Sequence, residues 1–174
     1  MSYKDPNIRG WMFGAELQWL YETATTMKNV VEIGSWEGKS THALLSGCSG
    51  AVIAVDTFKG SAIDPLHITA TLAKEFDIYS RFKRHVGHFP NLTVMKMDSK
   101  KAAEFFKPKS VDMVFIDGDH EKAAAKQDIT VWLPVCKVLL CGHDYNAPGV
   151  SEALKDVGLK INNNVGSIWE YTIK

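Results

Sequence analysis

Short runs of apolar, often β-branched residues alternate along the chain with longer stretches in which apolar residues recur every three or four positions. The runs lie at residues 30–33, 51–55, 92–97, 111–116 and 135–141. Runs of this length predict buried strands, and the spaced stretches between them predict amphipathic helices. Because a helix-length segment follows each run, the chain is predicted to contain repeated strand–helix units.

The predicted helices cover residues 10–28, 40–45, 65–79, 99–107, 121–133 and 150–157. Two further strands, at 159–163 and 167–173, are close enough in sequence to pair as an antiparallel hairpin. The pattern therefore predicts a doubly wound α/β fold, with a mostly parallel seven-stranded sheet, an antiparallel C-terminal strand and three layers, α/β/α. Residues 1–174 are expected to form a single domain with its functional residues at the carboxyl ends of the strands.

The charge balance of the chain changes the expected partners. Lysine plus arginine equals aspartate plus glutamate, at 20 each, so no overall field attracts nucleic acid or an acidic membrane surface. The N-terminal residues 1–6 lack the apolar core of a signal peptide, and no apolar run is long enough to span a bilayer. We therefore expect a cytoplasmic protein that acts on a small molecule, with neither nucleic acid nor membrane as a partner.

The three cysteines are Cys48, Cys136 and Cys141, without a C-x-x-C pair. They are interpreted as buried thiols. A zinc site formed by Cys136, Cys141 and His143 is disfavoured, because the spacing of the two cysteines places their side chains on opposite faces of one strand.

The first apolar run ends in a glycine-containing turn, with Gly34 and Gly38 followed by Ser40 and Thr41. Glycines permit the close approach of a ligand, and free N–H groups at a helix start, where Ser40 and Thr41 are potential caps, attract polar ligands. The turn is therefore a candidate site for a nucleotide-like molecule. An ordinary strand-to-helix turn that uses its glycines for packing remains the alternative.

Two common nucleotide motifs do not fit the spacing of this turn. A phosphate-binding P-loop that ends at Gly38-Lys39-Ser40 requires glycine at position 33, which is Ile33. The dinucleotide motif G-x-G-x-x-G, begun at Gly34, requires glycine at Trp36. The remaining pattern is E-x-G-x-x-x-G, which begins at Glu32.

Acidic residues follow three more of the predicted strands. Asp56 ends the second strand, where a carboxylate can accept hydrogen bonds from ribose hydroxyls. The fourth strand leads into Asp117-Gly118-Asp119-His120, and the fifth leads into His143-Asp144-Tyr145. Asp119 is also suited to capping the helix that follows it.

The segments Val31-Glu32-Ile33-Gly34-Ser35, Val55-Asp56-Thr57-Phe58, Phe115-Ile116-Asp117-Gly118-Asp119-His120 and His143-Asp144-Tyr145 occur in this order. In this series the chain resembles the class I S-adenosylmethionine (SAM)-dependent methyltransferases, in particular a small-molecule O-methyltransferase-like group. The resemblance implies a Rossmann-like methyltransferase fold with SAM as the cofactor. The implied cofactor-binding residues are Glu32, Gly34, Ser35, Gly38 and Ser40 around the methionine part, Asp56, Thr57 and Phe58 at the ribose, Asp98 and Ser99 at the adenine, and Asp117.

The resemblance also implies a catalytic group formed by Asp117, Asp119, His120, His143 and Asp144. In the metal-dependent O-methyltransferases of this group, acidic residues after strands four and five hold a divalent cation. Asp117 and Asp144 occupy those positions, and His143 stands where related sequences often carry a second aspartate. The chain thus has two options: Mg²⁺ or another divalent cation on Asp117, His143 and Asp144, or His143 or His120 as a general base.

The leading functional hypothesis is methyl transfer from SAM to oxygen on a small-molecule or sugar-like acceptor. Larger proteins of this group carry extra helices as a lid over the acceptor pocket. This chain has only the N-terminal helix and the segment 58–91 for that purpose, so we expect a homodimer partner to complete the pocket. The alternatives are a non-catalytic SAM- or nucleotide-binding module with the same fold and, less favoured, an NAD-dependent oxidoreductase.

Overall fold

A computed structural model describes residues 2–61, 68–161 and 165–174. Within these ranges the six strands are β1 (Asn29–Ile33), β2 (Ala51–Val55), β3 (Leu92–Met95), β4 (Val111–Ile116), β5 (Cys136–Gly142) and β6 (Trp169–Thr172). The seven helices in the same ranges are α1 (Gly14–Ala24), α2 (Lys39–Gly47), α3 (Ile68–Glu75), α4 (Ile78–Val86), α5 (Ser99–Ala103), α6 (Lys122–Trp132) and α7 (Pro148–Val157).

The strands form one sheet in the order β3-β2-β1-β4-β5-β6. All neighbouring pairs are parallel except β5 and β6, which are antiparallel. Successive strands extend from β1 toward one edge and then from β4 toward the other, so the direction of strand order reverses between β1 and β4. In open sheets of this class, ligands bind in the crevice at the carboxyl ends of the strands at this reversal. The predicted doubly wound α/β fold is confirmed.

The sheet is covered on both faces because its strands alternate their side chains between two apolar clusters. Val30 and Met113 pack in the cluster that contains the buried residues of α1, α2 and α4. Val31 and Val114 pack in the second cluster, with the buried residues of α5, α6 and α7. This two-sided burial explains why the parallel strands appear in the sequence as almost continuous apolar runs.

The predicted number of seven strands is wrong for the part of the chain that the structure describes, which has six. Residues 159–161 of the predicted hairpin are not in a strand, and residues 162 and 163 lie outside the described ranges. The N–H of Leu159 instead donates to the carbonyl of Leu154, closing the end of α7 after Gly158 at φ 78°. The final strand β6 therefore pairs with β5 rather than with a hairpin partner.

Several predicted helix boundaries also require correction. The first helix begins at Gly14 rather than at residue 10. It ends at Ala24 rather than at residue 28, and α5 ends at Ala103 rather than at residue 107. The helix predicted over 65–79 is replaced by α3 and α4, and residues 65–67 lie outside the described ranges. The Asp77 carboxylate accepts a hydrogen bond from the N–H of Ser80, which gives α4 a start that the apolar pattern did not reveal.

Other expectations agree with the structure. The three cysteines are buried and unpaired. None of the helices in the described ranges combines the length and apolar character that a bilayer span requires.

Candidate active site

A cleft of about 930 Å³ lies at the carboxyl ends of the parallel strands, over the point where strand order reverses. Most of the sequence-predicted residues line it: Gly34, Ser35, Ser40, Asp56, Thr57, Asp98, Ser99, Asp117, Asp119, His120, His143 and Asp144. Ligand pockets typically measure about 300–1,000 Å³, so this cleft has room for a cofactor and a small second molecule together.

The glycine turn after β1 is shaped by the approach of two strands. Gly34 has φ 84°, and a Cβ at this position would overlap the backbone carbonyl of Asp117 at the end of β4. Gly38 has φ 96° and begins α2, and its Cβ would crowd Phe82 and Val86 of α4. Gly34 therefore belongs to the cleft wall, whereas Gly38, predicted as a cofactor contact, is required for helix packing and does not line the cleft.

The sequence predicts that the N–H groups of this turn are free to face a ligand. In the structure they donate to Asp56 instead. Oδ2 of Asp56 accepts hydrogen bonds of 2.8 Å from the N–H groups of both Ser35 and Trp36. Oδ1 accepts a 2.6 Å bond from the N–H of Phe58. Burial raises the pKa of Asp56 above its usual value, and the hydrogen bonds from these N–H groups reduce that rise. Asp56 thus fixes the turn, and its carboxylate still lines the cleft with acceptor capacity for a ligand.

Glu32, predicted as a cofactor contact, is fully buried beneath the turn and does not line the cleft. Its Oε2 accepts hydrogen bonds from the hydroxyls of Ser35 and Thr41. Its Oε1 has no hydrogen-bond partner among the described residues. Burial raises the pKa of Glu32 to about 7. The hydroxyl of Thr41 therefore braces Glu32 instead of capping α2.

Phe58, also predicted as a cofactor contact, packs in the apolar core. Its ring lies 5.0 Å from that of Tyr79 and 5.1 Å from that of Phe82, measured between centroids. Phe58 does not line the cleft. Phe58 contacts Asp56 through its backbone N–H, which donates to Oδ1, and its side chain faces the core.

The β3 end of the cleft carries Asp98, Ser99 and a residue that the sequence analysis missed, Asp128. Oδ1 of Asp98 accepts a hydrogen bond from the N–H of Lys101 and so begins α5. Asp128 of α6 is only 7% exposed, and burial raises its pKa to about 6 although the nearby Ser99 hydroxyl lowers it. One signal was available in the sequence: Asp128 interrupts the apolar face of α6 next to Ile129.

At the ends of β4 and β5, Asp117, His120 and Asp144 converge. Each offers one ligand atom, and these atoms lie within 4.8 Å of one another. Nε2 of His120 is 2.8 Å from Oδ2 of Asp144. The prediction that Asp117 and Asp144 meet in space is confirmed, because β4 and β5 are adjacent parallel strands.

His143 is buried behind this cluster. Its Nδ1 lies 3.1 Å from Oδ2 of Asp144, and its Nε2 lies 2.7 Å from Oγ of Ser167 and 3.3 Å from Oε1 of Glu16. Burial alone would lower the pKa of His143, but the bond to Asp144 and the surrounding carboxylates raise it to about 9. The ligand atoms that lie within 4.8 Å of one another belong to Asp117, His120 and Asp144, so the geometry favours His120 in place of the predicted His143 as the third ligand.

Glu16 and Ser167, which hold His143, were missed by the sequence analysis. Oε2 of Glu16 accepts a hydrogen bond from the N–H of Phe13 at the start of α1. Oε1 accepts one from the N–H of Ser167. Glu16 is buried although it lies on a predicted amphipathic helix. The only signal for it in the sequence was its place on the apolar side of the predicted helix, next to Leu17 and one turn before Leu20.

The two carboxylates of the cluster ionise differently. Burial, together with the charges of Asp144 and Glu16, raises the pKa of Asp117 to about 6 against the lowering effect of His143. Burial would also raise the pKa of Asp144, but hydrogen bonds from His120 and His143 hold it well below its usual range. The bond to Asp144 raises the pKa of His120. The hydrogen bonds from the two histidines thus favour the ionised form of Asp144.

Asp119 lies apart from the ligand cluster, although it lines the cleft. Its Oδ2 accepts a 2.6 Å hydrogen bond from the hydroxyl of Ser61, and its Oδ1 accepts the N–H of Glu121. Glu121 is the residue that precedes α6. Asp119 thus organises the start of α6, in partial agreement with the predicted capping role.

Comparison with known proteins yields a family and a set of similar structures. A family profile described as "Methyltransferase domain" matches residues 31–145, which is more than half of the chain. A search of the curated proteins returns no sequence match.

Several solved structures share the fold at low sequence identity. An O-methyltransferase from Bacillus cereus, in complex with S-adenosylhomocysteine (SAH), is 18% identical with a TM-score of 0.64, over 94% of this chain and 83% of that one. A SAM-dependent O-methyltransferase from Thermotoga maritima is 14% identical with a TM-score of 0.63, over 96% and 68%. A TDP-rhamnose 3'-O-methyltransferase of calicheamicin biosynthesis is 13% identical with a TM-score of 0.56, over 90% and 76%. Given the match of the family profile over the strands that build the cleft, the chain belongs to the methyltransferase-domain family and is a class I SAM-dependent methyltransferase.

Proposed function

We propose that the protein transfers the methyl group of SAM to a hydroxyl oxygen of a small molecule, assisted by a divalent cation on Asp117, His120 and Asp144. The observation that carries this proposal is the convergence of the three side chains, with ligand atoms within 4.8 Å of one another, in the cleft at the sheet's reversal point. The similar folds of proteins named as O-methyltransferases, one of which acts on TDP-rhamnose, support oxygen as the acceptor atom.

The donor is proposed to lie along the β1–β2–β3 side of the cleft. Gly34, Ser35 and Ser40 would adjoin its methionine part, Asp56 and Thr57 its ribose, and Asp98 and Ser99 its adenine. Carboxylates on this side complement the net positive charge of SAM. When bound, SAM supplies a methyl group on a sulfonium that is already an excellent leaving group. The protein therefore has to align the acceptor oxygen with that methyl group and remove its proton.

The cluster fits a divalent cation by distance and by chemistry. Metal–ligand distances of about 2.0–2.6 Å require ligand atoms within about 5 Å of one another, and this cluster meets that limit. Two carboxylates suit Mg²⁺, and the addition of an imidazole suits Mn²⁺ or Fe²⁺. A cation held there would lower the pKa of an acceptor hydroxyl and stabilise the alkoxide that forms.

The remaining residues of the site keep this cluster in place. His143, protonated and bonded to Asp144, offsets the charge of two neighbouring carboxylates. Glu16 and Ser167 hold the other edge of its ring, so the imidazole cannot rotate without losing buried hydrogen bonds. The ion-paired imidazole fixes the position of Asp144 at the cleft surface.

The 2.8 Å contact between His120 and Asp144 supports an alternative mechanism for the same methyl transfer, in which His120 is the general base. The His120 side chain is 56% exposed at the cleft, and Asp144 orients its ring through Nε2. Nδ1 of His120 would then take the proton of the acceptor hydroxyl without a cation.

Methyl transfer is tested by incubating the purified protein with SAM labelled in its methyl group and a panel of catechols, phenols, nucleotide sugars and matched amines. We expect labelled product and release of SAH with at least one hydroxyl compound. A product formed only with amines would contradict the choice of oxygen. Calorimetric titration with SAH and with NAD checks the donor independently, and binding of NAD alone would contradict it.

A further inference from the structure

Asp128 is a buried carboxylate without a basic partner. It lies on α6, is 7% exposed, and forms no ion pair with lysine or arginine in the described part of the chain. Its charged neighbours are instead two other carboxylates, Asp98 and Asp119. An aspartate buried among like charges destabilises the folded protein unless a donor compensates for it. The structure therefore contains an acceptor that calls for a ligand with N–H or O–H groups.

The carboxylate of Asp128 has lone pairs available for a ligand. Ser99 accepts a 2.8 Å bond from Nε1 of Trp132, so its hydroxyl hydrogen is free to be donated to Asp128. Once it has donated to Asp128, Ser99 has no hydrogen left for a ligand. The bond from Trp132 thus directs the Ser99 hydroxyl toward one side of the carboxylate, and the remaining lone pairs of Asp128 are acceptors at this end of the cleft.

Apolar atoms as well as carboxylates surround Asp128 in the cleft. Ala124 and Asp128 lie one helical turn apart on α6 and both line the cleft, as does Met97 after β3. Gly118 also lines it, and a Cβ there would lie 3.2 Å from Oδ2 of Asp128. The absence of a side chain at Gly118 keeps that oxygen unobstructed. A flat apolar ring with an N–H donor at its edge matches this combination.

The order of the strands places Asp128 at the adenine end of the proposed donor site. Asp56 follows β2, the neighbour of β3, whereas the cluster of Asp117 and Asp144 follows β4 and β5 on the opposite side of β1. A donor with its methyl group at that cluster and its ribose at Asp56 extends its base toward Ser99. We propose that Asp128 is the adenine-specificity residue, accepting a hydrogen bond from the exocyclic 6-amino group. This inference rests on the proposed placement of the donor.

The test compares three ligands by calorimetry on the full-length protein: SAH, its analogue with hydrogen in place of the 6-amino group, and its 7-deaza analogue, which keeps that group. Wild-type protein should bind SAH about 10- to 100-fold more tightly than the deaminated analogue, the range expected for a hydrogen bond to a charged acceptor. The 7-deaza analogue should stay within about threefold of SAH, because the amino group is intact.

The variant Asp128→Asn should bind SAH and the deaminated analogue within about threefold of each other. Its amide oxygen takes the Ser99 hydroxyl and turns an NH₂ group, another donor, toward the ligand. Asp128→Ala provides a second measurement that does not depend on amide orientation. The control Glu22→Gln removes an exposed carboxylate from α1 and should keep the wild-type preference. All variants should show cooperative thermal unfolding.

A preference for SAH of tenfold or more that persists in both Asp128 variants would overturn the role of Asp128 while leaving the donor site intact. Failure of the wild-type protein to bind SAH would overturn the placement of the donor together with this inference. The two failures are therefore distinguishable in a single set of titrations.

Discussion

Nε2 of His120 lies 2.8 Å from Oδ2 of Asp144, although the two residues follow different strands. The contact exists because β4 and β5 are parallel neighbours whose carboxyl ends open on the same side of the sheet. The same oxygen lies 3.1 Å from Nδ1 of His143, so Asp144 is shared by an exposed imidazole and a buried one. A change at Asp144 should consequently affect both candidate mechanisms, whereas chelation should affect only one.

Removal of metal should distinguish the two mechanisms. If a cation activates the acceptor, EDTA should abolish turnover, and Mn²⁺ or Mg²⁺ should restore it. Asp144→Asn should weaken Mn²⁺ binding at least about tenfold because it removes a charged ligand. The affinity for SAH should change less than threefold, since Asp144 lies on the acceptor side. Calorimetric titration with MnCl₂ and with SAH measures both quantities.

Asp156→Asn is a matched control for this experiment, because it makes the same change at a carboxylate that is ion-paired with surface lysines of α6. It should bind Mn²⁺ like the wild-type protein. Turnover that continues in EDTA, together with an inactive His120→Ala variant, would instead establish His120 as the base.

Substitution of Asp56 should weaken both the cofactor site and the turn. Asp56→Ala should reduce SAM affinity by about 1.5–3 kcal/mol, the scale of hydrogen bonds to a charged group. It should also lower the free energy of unfolding by about 2 kcal/mol or more, because the N–H groups of Ser35 and Trp36 lose their acceptor. Calorimetry with SAM and urea denaturation measure the two effects separately.

Asp56→Asn separates the two roles of this residue. Its amide oxygen still accepts from the turn, so the loss of stability should be smaller than in the alanine variant. SAM affinity should fall in both variants. Unchanged SAM affinity in a folded Asp56→Asn protein would show that the ribose assignment is wrong.

The close approach of β1 and β4 makes Gly34 sensitive to any side chain. Gly34→Ala should lower the free energy of unfolding by about 3 kcal/mol or more, since it adds left-handed strain at φ 84° to an overlap with the Asp117 carbonyl. Gly34→Val should be worse and should abolish SAM binding. Gly14→Ala is the control, because a Cβ there meets no atom within 4 Å, and it should be neutral or slightly stabilising.

The buried Glu32 should make stability fall as pH rises. Burial raises its pKa from 4.5 to about 7, so between these values the folded protein binds more protons than the unfolded one. The stability that protonated Glu32 contributes is fully present below pH about 4.5 and is lost as pH rises through about 7. Glu32→Gln removes this dependence, so the free energy of unfolding of the variant should rise relative to that of the wild-type protein by roughly 2.5 kcal/mol between pH 5 and pH 8.

Urea denaturation of the ligand-free protein across this pH range measures the effect. Glu22→Gln, which leaves Glu32 in place, should retain the wild-type pH profile. Parallel pH profiles of Glu32→Gln and the wild-type protein would contradict the assignment of the buried proton to Glu32.

Local features of the sequence determined the architecture and the edge of the sheet at which the cleft lies. The run at 111–116 predicts a buried strand from its apolar, β-branched composition, and the residue after it, Asp117, then lies at the carboxyl end. The same reasoning placed Asp56 and Asp144 at the ends of β2 and β5. These predictions succeeded because strand formation and side-chain alternation depend on neighbouring residues, and parallel strands align their ends.

The tertiary structure alone decided what each of these residues contacts. Asp56 serves the turn as well as the cleft, Gly38 packs against α4, and Glu32 lies beneath the surface. The position of the His143 ring behind the cluster depends on Glu16 and Ser167, which are 151 residues apart in sequence. Proton affinity and hydrogen-bond partners are set by distances of a few ångströms between remote segments, and no local pattern of residues encodes those distances.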